Sequence, residues 1–146
     1  MKIFFDTTIL VAASEKSHPH HAHAWPALRR VAAGQDKGFM SVHSIAELYA
    51  SLTRLPVQPR IHPVEAARIV TDNVLRHFEA VPAGKKDYLE ALGMVAGGGW
   101  SGGKIYDALL LCCAARCAAE RIYTFNLADF RQLAPASLQE KICAPA

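Results

Sequence analysis

Residues 2–10, KIFFDTTIL, set a pattern that recurs along the chain: a short apolar run that ends at a polar residue. KIFF is typical of a buried strand, and Asp6 stops the run immediately after it. The next segment, TTILVAAS, either starts a helix or continues the apolar packing. A short strand without polar alternation belongs in a sheet that is covered on both faces.

Beyond this opening, strand-like runs alternate with stretches of helical periodicity. Further strands are predicted at FMSV (39–42), FEAV (78–81) and IYTF (122–125). Helices are predicted over residues 18–33, 44–55, 63–74, 85–95 and 104–119. Pro26 predicts a kink or a new start within the first of these. Turns or loops are predicted at residues 34–38, 56–63 and 97–103. The alternation predicts an α/β protein, with three α/β/α layers around a central, mainly parallel sheet.

The composition of the 146 residues, 51% hydrophobic and 20% charged, allows the chain to bury a substantial core. It excludes disordered and collagen-like classes, and the length fits a single domain over residues 1–146. The longest apolar runs fall well short of the roughly 20 residues that a membrane span needs. Asp6 also interrupts the N-terminal segment where a signal peptide would stay apolar. We therefore expect a soluble, cytoplasmic protein.

Charge and cysteine content agree with that expectation. The formal net charge of +3 is compatible with a nucleic-acid partner without requiring one. Three of the four cysteines, Cys112, Cys113 and Cys117, fall in one predicted helix, so reduced thiols are expected rather than disulfides.

Two other segments suggest ligands, but each has a simpler interpretation. HPHHAH, residues 18–23, holds four histidines that could bind zinc or copper. Its spacing matches no closed zinc pattern, which favours a solvated helix start. The glycine-rich stretch GGGWSGG, residues 97–103, resembles a phosphate-binding loop but lacks the GK[ST] ending, so a flexible connector is favoured.

Acidic and amide side chains fall at strand ends and helix starts. Asp6 follows KIFF, Glu47 lies in the first turn of the helix after FMSV, and Asp107 lies in the first turn or two of the helix after the glycine-rich stretch. Asn126 and Asp129 follow IYTF. Because ligands collect at the carboxyl ends of parallel strands, we expect these side chains to face one cleft.

Carboxylates gathered in this way predict a metal-assisted reaction on phosphate. Their mutual repulsion raises their pKa values unless a cation neutralises them. Hard oxygen ligands suit Mg²⁺ or Mn²⁺, which lower the pKa of a bound water and stabilise a phosphate during in-line displacement. The chemistry implied is phosphodiester hydrolysis.

Each acid also has a structural explanation. Asp6 and Asp129 could cap a turn or a short helix, and Asp107 could stabilise a helix dipole. The spacing of Ser44 and Glu47 is that of a capping box. The residues taken singly leave both interpretations open.

Taken in series, these segments resemble the PIN-domain family, and within it the VapC-type ribonuclease toxins of bacterial toxin–antitoxin pairs. The matching segments run in the family's order over roughly residues 1–133: FDTTIL, HPHHAHAW, SVHSIAELYASLTRL, KIYDALLLCCAA and YTFNLADFRQL. The resemblance implies an endoribonuclease dependent on Mg²⁺ or Mn²⁺, with Asp6, Glu47 and Asp107 as its acidic cluster. It also implies an RNA substrate, a cognate antitoxin protein and a homodimer.

The chain departs from the family pattern at two places. Thr8 stands where many relatives carry Asn or Ser two residues after the first Asp, a change that keeps a hydroxyl. The fourth acidic position falls on Asn126, and either this amide or Asp129 is expected to complete the metal site. Lys104, three residues before Asp107, is a candidate contact for a substrate phosphate.

Two rival functions remain at this level. FDTTIL resembles the nucleophile motif of haloacid-dehalogenase-type phosphatases, although those need a second Asp where this chain has Thr8. A non-catalytic PIN module that binds RNA or protein is the other, and the presence of Asp6, Glu47 and Asp107 disfavours it.

Overall fold

The computed structural model describes all 146 residues, and its five strands form one parallel sheet. The strands are β1 (Lys2–Phe5), β2 (Lys37–Ser41), β3 (Phe78–Val81), β4 (Arg121–Tyr123) and β5 (Ile142–Cys143). Their order across the sheet is β3-β2-β1-β4-β5, and every neighbouring pair is parallel. The predicted runs KIFF and FEAV coincide with β1 and β3. No sequence pattern predicts β5, which is only two residues long.

Eight α-helices surround the sheet: α1 (Thr7–Ser14), α2 (His21–Ala32), α3 (His43–Arg54), α4 (Pro63–Arg68), α5 (Lys85–Gly97), α6 (Lys104–Arg116), α7 (Leu127–Leu133) and α8 (Ala136–Gln139). A π-helical segment, Ile69–Leu75, continues α4. None of the helices combines the length and the apolar character needed to cross a membrane.

Two hydrophobic cores lie on opposite faces of the sheet, as the alternation within β1 shows. Ile3 and Phe5 belong to the core formed with α1, α2, α3 and α4, whereas Phe4 belongs to the core formed with α5, α6, α7 and α8. Because side chains alternate along a strand, an unbroken apolar run such as KIFF supplies both cores. The predicted three-layer α/β/α architecture with a parallel sheet is confirmed.

Several predicted boundaries are wrong. α2 begins at His21 rather than at residue 18, because the chain forms turns immediately before it. The helix then runs uninterrupted through Pro26, where a kink or new start was expected. Its buried side chains pack in the first core and hold it there, namely Ala24, Ala27, Leu28 and Val31.

The predicted turn at residues 34–38 is wrong at its end, because Gly38 is part of β2. Gly38 pairs with Ile3 on one side and with Phe78 on the other. A Cβ at this position would lie 2.6 Å from the Phe78 ring and 2.8 Å from Val31. The glycine is therefore required by close packing within a strand rather than by a turn.

The strand order creates a cleft at one point of the sheet. The chain leaves β1 toward β2 on one side, while β4 lies on the other side of β1. In open parallel sheets, such a reversal leaves a crevice at the carboxyl ends of the two central strands. The residues that directly follow β1 and β4 are Asp6 and Thr124.

Candidate active site

Four of the predicted site residues line one cleft at this edge of the sheet. Asp6, Glu47, Asp107 and Asn126 border a volume of about 530 Å³. They come from four separate elements, since Asp6 follows β1, Glu47 is on α3, Asp107 is in the first turn of α6 and Asn126 precedes α7. Asp129, in the first turn of α7, is not among the lining residues.

Asp6 is the most deeply buried of these acids, with 2% of its surface exposed. Its Oδ2 accepts hydrogen bonds from Thr8 Oγ1 at 2.7 Å and from Thr124 Oγ1 at 2.8 Å. Burial raises the pKa of Asp6, the two threonine hydroxyls act in the opposite direction, and the nearby Glu47 charge raises it further. The carboxylate is thus fixed in position but costly to ionise without a cation.

Glu47 is held by a chain of hydroxyls and does not form the capping box that its spacing suggested. The α3 helix begins at His43, so Ser44 lies inside it and Glu47 falls in the second turn. Thr7 Oγ1 donates to Glu47 Oε1 at 3.1 Å and lies 2.7 Å from Ser44 Oγ. Because Thr7 has one proton to give, the buried Ser44 hydroxyl donates to Thr7. The capping pair is therefore replaced by a link between α3 and the start of α1.

His43 extends this arrangement toward α6. Its Nε2 lies 3.7 Å from Glu47 Oε1, and its ring stacks on Tyr106 with centroids 5.4 Å apart and 8° between the planes. Nε2 is buried and has no hydrogen-bond partner within the protein. The stack fixes the imidazole beside Glu47. Its partner, Tyr106, directly precedes Asp107 in α6.

Asp107 experiences the strongest electrostatic perturbation in the cleft. Partial burial and the charges of Asp6, Asp129 and Glu47 raise its pKa to about 7, against an ordinary value of 3.8, while Lys104 acts in the opposite direction. A half-buried carboxyl group facing three other acids indicates a site that is short of positive charge.

Asp129 and Lys104, both predicted at the site, contact each other at its edge. Lys104 Nζ lies 3.6 Å from Asp129 Oδ1 and 3.6 Å from the centroid of the Trp100 ring, and it also bonds to Gln132. The lysine side chain is only 19% exposed. These contacts tie the glycine-rich stretch to α6 and α7, and they partly neutralise Asp129.

The donor chemistry of the cleft fits a divalent cation. No group of three or more histidine, cysteine or carboxylate side chains is arranged to hold a metal ion. Mg²⁺ commonly takes one or two protein carboxylates and completes its shell with waters and substrate phosphates. Asp6 and Asp107 are suitable ligands of that kind, since both border the cleft and the charge of Asp6 helps to raise the pKa of Asp107.

Sequence reasoning missed the hydroxyl groups that hold these acids. Thr7, Ser44 and Thr124 are all buried polar residues next to the cleft. Their positions directly after a strand or at a helix start are the signal that was available. His20 is exposed at the N-cap of α2, as the predicted solvated helix start requires, and both His18 and His20 also line the cleft.

Comparison with known proteins assigns the chain to a family. The sequence model of the PIN domain matches residues 3–134. Ribonuclease VapC27 of Mycobacterium tuberculosis is 35% identical over 118 residues, which are 79% of this chain and 78% of VapC27. The chain belongs to the PIN-domain family, and the predicted resemblance to its VapC branch is confirmed. Family membership also removes the haloacid-dehalogenase alternative.

Two solved structures share the fold. VapC20 of Mycobacterium tuberculosis, described as a toxin that cleaves the sarcin–ricin loop, superposes with a TM-score of 0.67 at 17% identity, covering 85% of this chain and 89% of its own. VapBC2 of Rickettsia felis, bound to a DNA fragment from its promoter, gives a TM-score of 0.64 at 20% identity over 100% of both chains.

Proposed function

We propose that the protein is an endoribonuclease that hydrolyses RNA phosphodiester bonds with the help of Mg²⁺ or Mn²⁺, and that it is the toxin of a toxin–antitoxin pair. The observation that carries this proposal is the convergence of Asp6, Glu47 and Asp107 in one cleft at the carboxyl ends of the central strands. The likeness to Ribonuclease VapC27 supports the choice of RNA as the substrate.

Asp6 and Asp107 are the residues that would hold the cation, with Glu47 close by or acting through water. Asn126 offers a neutral oxygen from the same cleft wall. When bound, a divalent cation supplies a water of lowered pKa and offsets the charge of the phosphate.

The protein's own residues prepare the acids for this role. Thr8 and Thr124 fix the Asp6 carboxylate, and Thr7 fixes that of Glu47. Neither side chain would therefore need to reorganise on binding a cation. A bound cation would favour the ionised form of Asp107, because its positive charge would offset that of the three neighbouring acids. Lys104, at the edge of the cleft, is the proposed contact for a substrate phosphate, provided that it leaves Asp129.

The proposed partners follow from the similarity of the chain to VapC proteins. The VapBC2 structure supports a cognate antitoxin, and a homodimer is the assembly we propose for the free toxin.

We infer a cytoplasmic location from the RNA substrate and from the four free cysteines, which suit a reducing compartment. A single domain over residues 1–146 is supported by the one sheet and its two cores.

Cleavage of total RNA by the purified chain tests the function. We expect fragments in Mg²⁺ or Mn²⁺, none in excess chelator, and none from Asp107→Asn protein in either condition. Asp72→Asn, which removes an exposed acid from the π-helical segment, is the matched control and should cleave normally. Metal-independent cleavage, or full cleavage by Asp107→Asn protein, would contradict the proposed chemistry. RNA binding without cleavage would favour the non-catalytic module.

A further inference from the structure

Three aromatic rings form a ladder along the wall of the cleft that holds the acids. The ring of His20 stacks on Phe125, with centroids 4.6 Å apart and 27° between the planes. The ring of His18 lies 5.9 Å from that of His20 at 42°. All three side chains line the same cleft as Asp6 and Asp107. We refer to His18, His20 and Phe125 as the ring ladder.

Backbone hydrogen bonds hold both ends of the ladder. The Phe125 N–H donates to Thr8 Oγ1 at 3.4 Å, and the same hydroxyl donates to Asp6. At the other end, the His20 backbone N–H donates to Nδ1 of His18 at 3.1 Å. The rings therefore have a fixed relationship to the carboxylate that we place at the cation.

The histidines do not form a metal centre, because no group of three or more potential ligands is arranged to hold an ion. His20 is exposed and is the N-cap residue of α2, as a solvated helix start predicts, and its ring and that of His18 also line the cleft. Burial and the neighbouring His20 and His21 lower the pKa of His18, which favours the uncharged ring.

We propose that the ring ladder is a base-stacking subsite, in which His20 and its neighbours hold an unpaired RNA base next to the phosphate that is cut. The inference rests on the proposed ribonuclease function and adds to it a position for one base beside the cut site. Unpaired bases stack on Phe and His side chains, and every base offers a face for this contact. A base inside a duplex cannot reach the ladder, because both of its faces are already stacked.

The shape of the surface supports a strand that continues past the ladder. A second depression of about 620 Å³ shares His18 and Leu55 with the acidic cleft. Its other walls include Arg60 and the prolines of the loop between α3 and α4. The His18 end of the ladder thus borders both depressions, so that the nucleotide next to the stacked base could continue into the second one.

Three variants separate stacking from other roles of His20. His20→Ala removes the ring, and His20→Phe keeps a flat ring but removes both nitrogens. His23→Ala removes an exposed histidine of α2 that does not line the cleft, and it is the matched control. His20 is exposed, and as the N-cap residue of α2 it makes no capping hydrogen bond with its side chain, so these changes leave both cores intact, which thermal unfolding verifies.

The substrate for the cleavage measurement is a pool of single-stranded RNA 20-mers of random sequence. We expect His20→Ala to lower kcat/KM by roughly 5- to 100-fold, the range of a lost base–aromatic stack, mainly through KM. His20→Ala should also weaken the preference for particular bases next to the cleaved bond. Sequencing of the product ends measures this preference. His20→Phe and His23→Ala should stay close to the wild type.

A binding measurement keeps this inference separate from the proposed function. In Asp107→Asn protein with Mg²⁺, the anisotropy of a fluorescein-labelled 20-mer from the same pool should show weaker binding after His20→Ala only. Unchanged KM, base preference and affinity in His20→Ala protein would overturn the subsite while leaving the ribonuclease intact. A His20→Phe variant as impaired as His20→Ala would also overturn it, because the imidazole nitrogens would then be what matters. Absence of cleavage by the wild type would refute the ribonuclease, and the affinities would still decide the subsite.

Discussion

Thr124 Oγ1 donates a hydrogen bond of 2.8 Å to Oδ2 of Asp6, across the point where the strand order of the sheet reverses. Thr124 directly follows β4, Asp6 directly follows β1, and both are buried. The same hydroxyl accepts a hydrogen bond of 2.9 Å from the Asn126 N–H. One side chain therefore positions the deepest acid of the cleft and the loop that carries Asn126.

We expect Thr124→Val to destabilise the protein by about 1–3 kcal/mol, because a buried carboxylate oxygen and an N–H both lose a partner while the shape is preserved. Urea unfolding measures the change. Thr71→Val, which removes an exposed hydroxyl from the π-helical segment, is the control. Equal effects of the two substitutions would show that the link to Asp6 contributes nothing. RNA cleavage by Thr124→Val protein should also require more metal than the wild type does.

Asp107→Asn should stabilise the metal-free protein at high pH only. The pKa of Asp107 is about 7 in the folded chain, against an ordinary value of 3.8, so the folded state holds this proton more tightly than the unfolded state. The free energy of unfolding therefore falls as the pH rises between these values, and the penalty is fully present above the higher one. Asparagine carries no such penalty.

Thermal unfolding in chelator at about pH 8 and about pH 4 measures this effect. At the higher pH we expect a gain of roughly 1–2 kcal/mol, less than the full shift would give because the carboxyl group is partly solvated. At the lower pH the gain should be small, since Asp107 is protonated in the folded state and only partly ionised in the unfolded state. A gain of the same size at both values would contradict the assignment of the penalty to ionisation.

Mg²⁺ or Mn²⁺ should raise the Tm of the wild type and leave that of Asp107→Asn protein nearly unchanged. A ligand that binds only the folded state stabilises it by about 2.7 kcal/mol at a hundred times its Kd. The increase should be larger at pH 8 than at pH 6, because Asp107 must lose its proton to bind the ion. Equal Tm increases in both proteins would place the cation elsewhere.

Growth of a bacterial host tests the toxin assignment. Induced expression of the chain without its antitoxin should arrest growth, because cleavage of RNA stops protein synthesis. Expression of Asp107→Asn protein to the same level should not. Equal growth of the two cultures, with both proteins accumulating, would count against a toxin.

The acids could be predicted from the sequence because their signals are local. Asp6 and Asp107 stand directly after a strand-like run or at the start of a helical one, and the parallel sheet then brings their elements to one edge. The hydroxyls could not be predicted, because the partner of Thr124 lies 118 positions away and that of Ser44 lies 37 positions away. Such pairs depend on register and packing that no local pattern contains.

The difference between local signals and long-range packing also explains the errors in the predicted fold. β1 and β3 follow from apolar runs, whereas β5 is too short for any periodicity to appear. Gly38 was assigned to a turn because glycine is a local turn signal, but packing against Phe78 and Val31 determines its place in β2. The capping box at Ser44 and Glu47 failed for a similar reason, since Thr7 from another helix binds both side chains.

Asp129 should contribute less to cleavage than Asp107, although both were predicted as metal ligands. Its carboxylate lies 3.6 Å from Lys104 Nζ and does not line the cleft, so its charge is already paired. We expect Asp129→Asn to slow cleavage roughly fivefold or less, the size of a partly exposed ion pair. Asp107→Asn should slow it by roughly a hundredfold or more, because it removes a group that holds the cation.

Cleavage rates across a Mn²⁺ titration compare the two, with Asn126→Ala as a third variant that alters the cleft wall without changing charge. If Asp129→Asn protein is as inactive as Asp107→Asn protein at saturating Mn²⁺, then Asp129 leaves Lys104 and binds the ion, and the order proposed here is wrong.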